Sequence, residues 1–227
     1  SYYDPENVNE KATSVSDIRV GDIVVIQKAG DVIPEVVKVE FERRKEYLPK
    51  FHMIDTCPVC KSTLIRKDNE AHHYCPNILC DARKLEKLIH FSSRKAMNIE
   101  GFGERIVEDF YNMGYLKNIN DYYTLKNHKE ELMTLEGFGE KSISNLLENI
   151  ENSKDNSLER LIFGLGIKHV GKKTAKILSE YYTSLDKLMS SNIEELSTIP
   201  DIGDIIAKSI VNYFSEEKNI KLINNLK

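Results

Sequence analysis

Four cysteines fall inside 24 residues as Cys57-Pro58-Val59-Cys60 and Cys75-Pro76-Asn77-Ile78-Leu79-Cys80, a C-x2-C-x14-C-x4-C spacing. Two close thiol pairs separated by a hairpin-length segment suit a tetrahedral structural zinc, with thiolates about 2.3 Å from the metal. Each pair reads as a turn whose backbone N–H groups can bond the sulfurs and offset their charge. A closed four-thiolate site has no open coordination position, so it holds structure and performs no chemistry. Disulfides are the first alternative, but nothing in the sequence suggests export to an oxidising compartment. Redox work by the single C-x-x-C is a second, and it lacks a surrounding βαβ pattern. His72 and His73 lie between the pairs and could replace a cysteine. With four thiols at hand they are expected to face solvent.

A second pattern occurs four times: Ile99-Glu100-Gly101-Phe102-Gly103, Leu135-Glu136-Gly137-Phe138-Gly139, Ile167-Lys168-His169-Val170-Gly171 and Ile199-Pro200-Asp201-Ile202-Gly203. Aligned on the final glycine, the copies are 36, 32 and 32 residues apart, a repeat architecture. Each precedes a predicted helix, over 104–111, 140–150, 172–182 and 204–214. A glycine turn opening a helix leaves the first backbone N–H groups free at the positive end of the dipole, which suits a phosphate. One such turn could equally be a tight αα-hairpin corner. Four in register point to a nucleic-acid backbone. His169 and Asp201 stand where the first two copies have their first glycine. A carboxylate there repels phosphate, so the fourth copy is expected to pack more than it binds.

The elements that must position these residues fall into three parts. Residues 23–27 and 32–39 read as strands joined by a turn at 28–31, with Pro34 limiting the second to an edge or a bulge. Two strands make no independent sheet, so residues 1–51 are expected to be the end of a β-barrel that starts earlier. A metal module over 52–88 and a helical repeat domain with four hairpins over 89–227 complete the division. The fold class is therefore mainly α with a small β part. Hydrophobic content of 41% supports folded cores, and no apolar run approaches the roughly 20 residues of a membrane span. The start lacks both a secretory signal and an initiator Met, as expected of a piece of something longer.

Net charge is −4, which taken alone argues against a nucleic-acid partner. The charge is unevenly placed, with local excesses of +4 over 83–95 and again over 168–176. The second runs across the third glycine turn and into its helix, where Lys172 and Lys173 would meet phosphate. Cations at a helix start oppose the dipole, so an anionic partner is expected.

Together these parts resemble the C-terminal portion of bacterial NAD-dependent DNA ligase. Asp17-Ile18-Arg19-Val20-Gly21-Asp22 and Ala29-Gly30-Asp31-Val32-Ile33-Pro34 resemble the second half of that family's OB fold. The cysteines have its zinc spacing. Residues 90–103 resemble its entry into a helix-hairpin-helix domain, and Gly166-Ile167-Lys168-His169-Val170-Gly171 its third hairpin. The resemblance implies a part that clamps nicked duplex DNA through minor-groove phosphates while the parent enzyme seals the nick in replication and repair. The residues expected to touch DNA are Gly101, Gly103, Gly137, Gly139, Gly171 and Gly203, with Arg94, Arg105, Lys141, Lys172 and Lys173. Arg19 and Lys28 would face the nick from the barrel strands. One structural zinc per chain is expected, bound by Cys57, Cys60, Cys75 and Cys80, with the zinc module setting the angle between barrel and hairpins. NAD and magnesium would belong only to the parent's catalytic part. The expected partner is nicked double-stranded DNA, with no membrane, in a monomer that is cytoplasmic and nucleoid-associated. The rival readings are a free-standing zinc and hairpin repair module and a helical scaffold that binds protein; an unfinished sheet disfavours the first and the two +4 patches the second.

The family's nucleotidyl transfer uses a Lys-x-Asp-Gly motif, and none occurs in this sequence. The chain alone should therefore form no covalent AMP adduct and seal no nick. Incubation with radiolabelled NAD and denaturing electrophoresis checks this, and a labelled band from pure protein would contradict it.

Overall fold

The structure, a computed structural model, describes residues 2–3, 17–29, 33–44, 47–66 and 72–226. The chain divides into two compact units, residues 1–81 and 82–227. The described sheets lie in the first unit, and the second is helical.

In the first unit, β1 (Tyr2–Tyr3), β4 (Ile65–Arg66) and β5 (His72–Tyr74) form an antiparallel sheet of order β1-β5-β4. The other sheet pairs β2 (Val24–Ala29) with β3 (Ile33–Val39). Val and Ile make up half of β2, residues that suit a pleated surface. The register slips between Val25 and Ile26, a bulge of the kind that bends a strand. Lys28 was expected in the turn but lies in β2 opposite Pro34. Proline has no N–H to give, and among the described residues this sheet has two strands, which leaves Pro34 on an edge strand. The turn at residues 30–32, with Gly30, Asp31 and Val32 of the resemblance, lies outside the described residues.

Ions rather than apolar bulk order the segment beside this ribbon. Arg44 donates from Nε to Asp22 Oδ1 at 2.7 Å and from Nη1 to Asp17 Oδ2 at 2.9 Å. Arg19 donates from Nε to Asp17 Oδ1 at 3.1 Å and from Nη1 to the Leu48 carbonyl at 2.8 Å. Its backbone N–H also bonds Asp22 Oδ2 at 2.7 Å. Asp22's side chain is only 1% exposed, so its charge depends on these partners.

In the second unit, α1 (Asp81–Ser92) leads into the first glycine turn and runs through residue 88, where the sequence puts a boundary. The four repeat helices open at the expected residues: α2 (Glu104–Asn112), α5 (Glu140–Ser153), α7 (Lys172–Tyr181) and α10 (Asp204–Ser215). Short helices connect them: α3 (Asn120–Thr124), α4 (Lys129–Leu132), α6 (Leu158–Gly164), α8 (Leu185–Met189) and α9 (Ile193–Ser197). The terminal helix is α11 (Glu217–Leu226).

The repeats pack in pairs. Ile99, Phe102, Val107 and Phe110 of the first copy share a buried cluster with Ile143, Leu146 and Ile150 of the second. Ile167, Val170, Ala175 and Leu178 of the third share another with Ile199, Ile202, Ala207 and Ile210 of the fourth. Leu161 of α6, with Leu222 and Leu226 of α11, packs against both clusters. Polar contacts reinforce that junction: Arg160 donates to the Ala96 carbonyl at 2.5 Å and Asn156 to that of Met97 at 2.7 Å. Gly164 lets α6 approach α1, since a Cβ there would lie 3.2 Å from Phe91 and 3.3 Å from Met97. No helix among the described residues is long and apolar enough to cross a membrane.

The ion network carries a pH signature. Hydrogen bonds from Arg19 and then Arg44 hold the Asp17 carboxyl at about 2, and those from Arg44 lower Asp22. Both lie below the unfolded value of about 3.9, so their stabilisation is complete above it and is lost as pH falls through the folded value. Arg44→Gln should raise the Asp17 midpoint towards the unfolded value, read by carboxyl-carbon NMR titration. A midpoint that stays put would show that the guanidinium does not hold this carboxylate.

Candidate metal centre and nucleic-acid interface

The first thiol pair sits in a turn closed by Cys57 N–H to the Ser62 carbonyl (2.8 Å) and Lys61 N–H to the Cys57 carbonyl (2.9 Å). Lys61 adopts a φ of 60°, which lets the chain reverse directly after Cys60. The second pair frames a turn in which the Leu79 N–H bonds Asn77 Oδ1 at 2.9 Å and the Cys80 N–H bonds the Asn77 carbonyl at 3.1 Å. The strands β4 and β5 between them bring the two turns together.

The four Sγ atoms lie within 4.8 Å of one another. Cys57 and Cys80 are 3.9 Å apart and Cys60 and Cys75 3.4 Å. Thiolates 2.3 Å from a tetrahedral centre stand ~3.8 Å apart, so a zinc ion fits this cage. The cysteines are free of disulfides. Backbone N–H groups of Cys60 and Val59 lower the Cys57 thiol, and the Ser62 hydroxyl, 3.3 Å away, and backbone N–H bring Cys60 to about 6. Burial pushes Cys75 up to about 12, against one backbone N–H from Asn77. The expected N–H donors to sulfur are thus present. His72 is exposed and neither His72 nor His73 joins the cage, which among the described residues is made of thiols alone. The roles of Ser62 and Asn77 are not legible in residue order, because they appear only once the turns are closed.

The glycine turns are superimposable in their bonding. The N–H of Phe102, Phe138, Val170 and Ile202 bonds the carbonyl three residues back, of Ile99, Leu135, Ile167 and Ile199, at 3.0–3.2 Å. The third residue of each turn lies in the left-handed region: Gly101 at 87°, Gly137 at 84°, His169 at 64° and Asp201 at 68°. His and Asp are among the few residues other than glycine that tolerate it. The last glycine of each turn is the N-cap, with extended backbone. A Cβ at Gly103, Gly139, Gly171 or Gly203 would meet nothing within 4 Å, so each first turn opens into free space.

The copies differ in charge. Glu104, Glu140 and Asp204 complement the dipoles of α2, α5 and α10, whereas α7 has no acid in its first turn and carries Lys172 and Lys173, both exposed. Arg105 and Lys141 are exposed at the second position of α2 and α5, and Arg94 is exposed just before the first turn. In the fourth copy Ile205 takes that second position, 69% exposed, and the Ile206 N–H already bonds the Gly203 carbonyl at 3.0 Å. Lys28 is exposed on β2. Arg19 stands apart, since its guanidinium is committed to Asp17 and Leu48.

Three family models match the chain. Residues 8–47 match the NAD-dependent DNA ligase OB-fold domain and residues 56–82 the NAD-dependent DNA ligase C4 zinc finger domain. The chain belongs to the NAD-dependent DNA ligase family. Residues 160–223, covering the third and fourth turns, match the helix-hairpin-helix motif. A DNA ligase of Bacillus mycoides is 48% identical over 219 residues, 96% of this chain and 32% of that protein. DNA ligases of Bacillus cereus and Bacillus thuringiensis are 48% and 47% identical over the same length. The chain thus spans about a third of the length of these relatives, 32%. Within this ligase-family chain the four-cysteine cage is a structural zinc site.

Protein purified without added metal should therefore carry about one zinc per chain, and less than about half an equivalent would overturn the assignment. Cys75→Ser should lower the zinc content and strip hydrogen-exchange protection from residues 57–80, since the site's binding energy is also its folding energy.

Proposed function

We propose that this chain is the DNA-holding part of an NAD-dependent DNA ligase. The hairpins grip phosphates of duplex DNA on either side of a nick, largely without reading base sequence. The observation that carries this reading is the fourfold recurrence of one backbone device: a left-handed turn residue, then a bare glycine N-cap facing open space. A structural corner has no need of that open space, whereas an approaching phosphate does.

The proposed division is residues 1–51 for part of an OB fold, 52–88 for the zinc module and 89–227 for the hairpin domain. Contacts come from the backbone at Gly101, Gly103, Gly137, Gly139 and Gly171, with Gly203 weaker. Arg94, Arg105, Lys141, Lys172, Lys173 and Lys28 add positive charge. Arg19 supports the barrel segment from within its ion network. NAD chemistry and magnesium reside in the rest of the parent enzyme, a monomeric cytoplasmic protein working on the nucleoid.

Gly139→Asp tests the reading. Gly139 has φ −132° and ψ 174° and open space around its Cβ, so aspartate fits without strain. Aspartate is also a preferred N-cap, so the helix should be at least as stable. The carboxylate would nonetheless occupy the phosphate position, costing on the order of ten-fold in affinity for nicked duplex. Gly203→Asp should cost less, because Asp201 already takes the left-handed position of that turn and Ile205 stands where the second copy has Lys141. Fluorescence titration alongside thermal melting separates binding from folding. A Gly139→Asp protein that melts like the parent and binds DNA equally well would reduce the hairpins to turns.

A further inference from the structure

Lys173 is the basic residue at the second position of α7, where the helix dipole is not offset by any acid in the first turn. It is the cation that the preceding reading needs most, yet in the free chain it is taken. Its Nζ lies 2.9 Å from Asp201 Oδ2 of the fourth turn. Asp201 is the residue that holds a left-handed φ of 68° where the first two copies have glycine. Its carboxylate therefore reaches from the fourth copy to the helix start of the third, within the pair that shares one core.

The first pair offers an internal comparison. There the position of Lys173 is filled by Arg105 and that of Asp201 by Gly137, which has no side chain. Arg105 instead pairs with Asp109 of its own helix, at 4.0 Å. The two pairs thus share a backbone, and the second alone carries an anion at a left-handed turn position.

We infer that Asp201 is an internal stand-in for a phosphate, which occupies Lys173 and must be displaced when the third and fourth hairpins close on DNA. The inference rests on the DNA-holding reading and adds a regulation to it: the second pair grips more weakly and lets go more readily than its basic sequence suggests. Both partners are exposed, at 78% and 59% of their side chains, so the pair is weak and exchangeable. A locked contact would block binding, whereas an exchangeable one only tunes it. Asp201 is a positioning residue here and touches no phosphate itself.

The test is a double-mutant cycle with labelled nicked duplex as the probe, titrated at several salt concentrations. Asp201→Asn keeps a side chain that tolerates the left-handed backbone and removes the charge. It should bind about two- to five-fold tighter than the parent at low salt, the range an exposed pair spans. Its log–log salt slope should stay close to the parent's, because Lys173 meets the same phosphate in both once Asp201 is displaced. In a Lys173→Ala background the same change should lose most of its effect, which identifies the pair and not net charge as the cause. Asp201→Asn matching the parent in affinity at low salt would overturn the inference while leaving the DNA reading intact. So would a gain of full size in the Lys173→Ala background. Failure of every protein, parent included, to bind duplex would remove the DNA reading and this role with it.

Discussion

Every hairpin in this chain must reverse direction within a few residues and then start a helix with nothing capping it. Two backbone states satisfy that demand together: a left-handed residue inside the turn and an extended glycine at the N-cap. The left-handed state costs an ordinary L-residue roughly 1–2 kcal/mol, which limits the inside position to Gly, His and Asp in the four copies. At Gly101 the limit is also steric, because a Cβ would come within 2.5 Å of Leu146 Cδ2. The apolar residues that bracket each turn follow from the same geometry. Ile99 and Phe102, like Ile167 and Val170, drop into the core as the chain reverses. The helix start is thereby aimed outward with its first N–H groups bare.

Pairing of the copies is what makes the device rigid. One hairpin has too little apolar surface to bury alone, and two placed face to face close a core. The two cores then need a common brace, supplied by α6 and α11 through Leu161, Leu222 and Leu226. Tyr122 illustrates how completely the first core excludes water: its hydroxyl finds a partner in the Leu88 carbonyl at 3.0 Å, and burial pushes its pKa well above the usual phenol range. The zinc module solves the same problem differently. Its buried apolar set includes Leu64 with the two thiols Cys57 and Cys80, too little to order a segment of that size. The metal takes the place of the missing core.

Electrostatics in this chain are local. A net charge of −4 coexists with helix starts that favour anions, because the dipole and the free N–H groups act within one turn of the helix end. The acids are placed where they serve their own elements. Glu104 and Glu140 sit at helix starts, while Asp17 and Asp22 knit the barrel segment through Arg44. Glu100 and Glu136 stand in the first two turns, but in the fourth an acid takes the left-handed position itself, and it has found a lysine of the third.

Spacing along the chain was enough to read the thiol cage, the four turns and the residues at which their helices open. These are local properties: a C-x2-C turn, a glycine after an apolar residue and a helix period depend on neighbours a few residues away. The sequence also shows why His169 and Asp201 stand out, since they interrupt a glycine pattern. It does not show that both keep the left-handed backbone of the glycines they replace, because that state is imposed by the packed residues on either side. Nor does a repeat of 32 to 36 residues reveal which copies pair. Burial decides that, joining the first copy to the second and the third to the fourth. The fate of individual charges was also hidden. Arg19 and Lys173 look equivalent in sequence as exposed cations, and folding brings the Leu48 carbonyl to one and Asp201 to the other. Short-range geometry is written in residue order, whereas the partner of a long flexible side chain is set by which surfaces the core brings together.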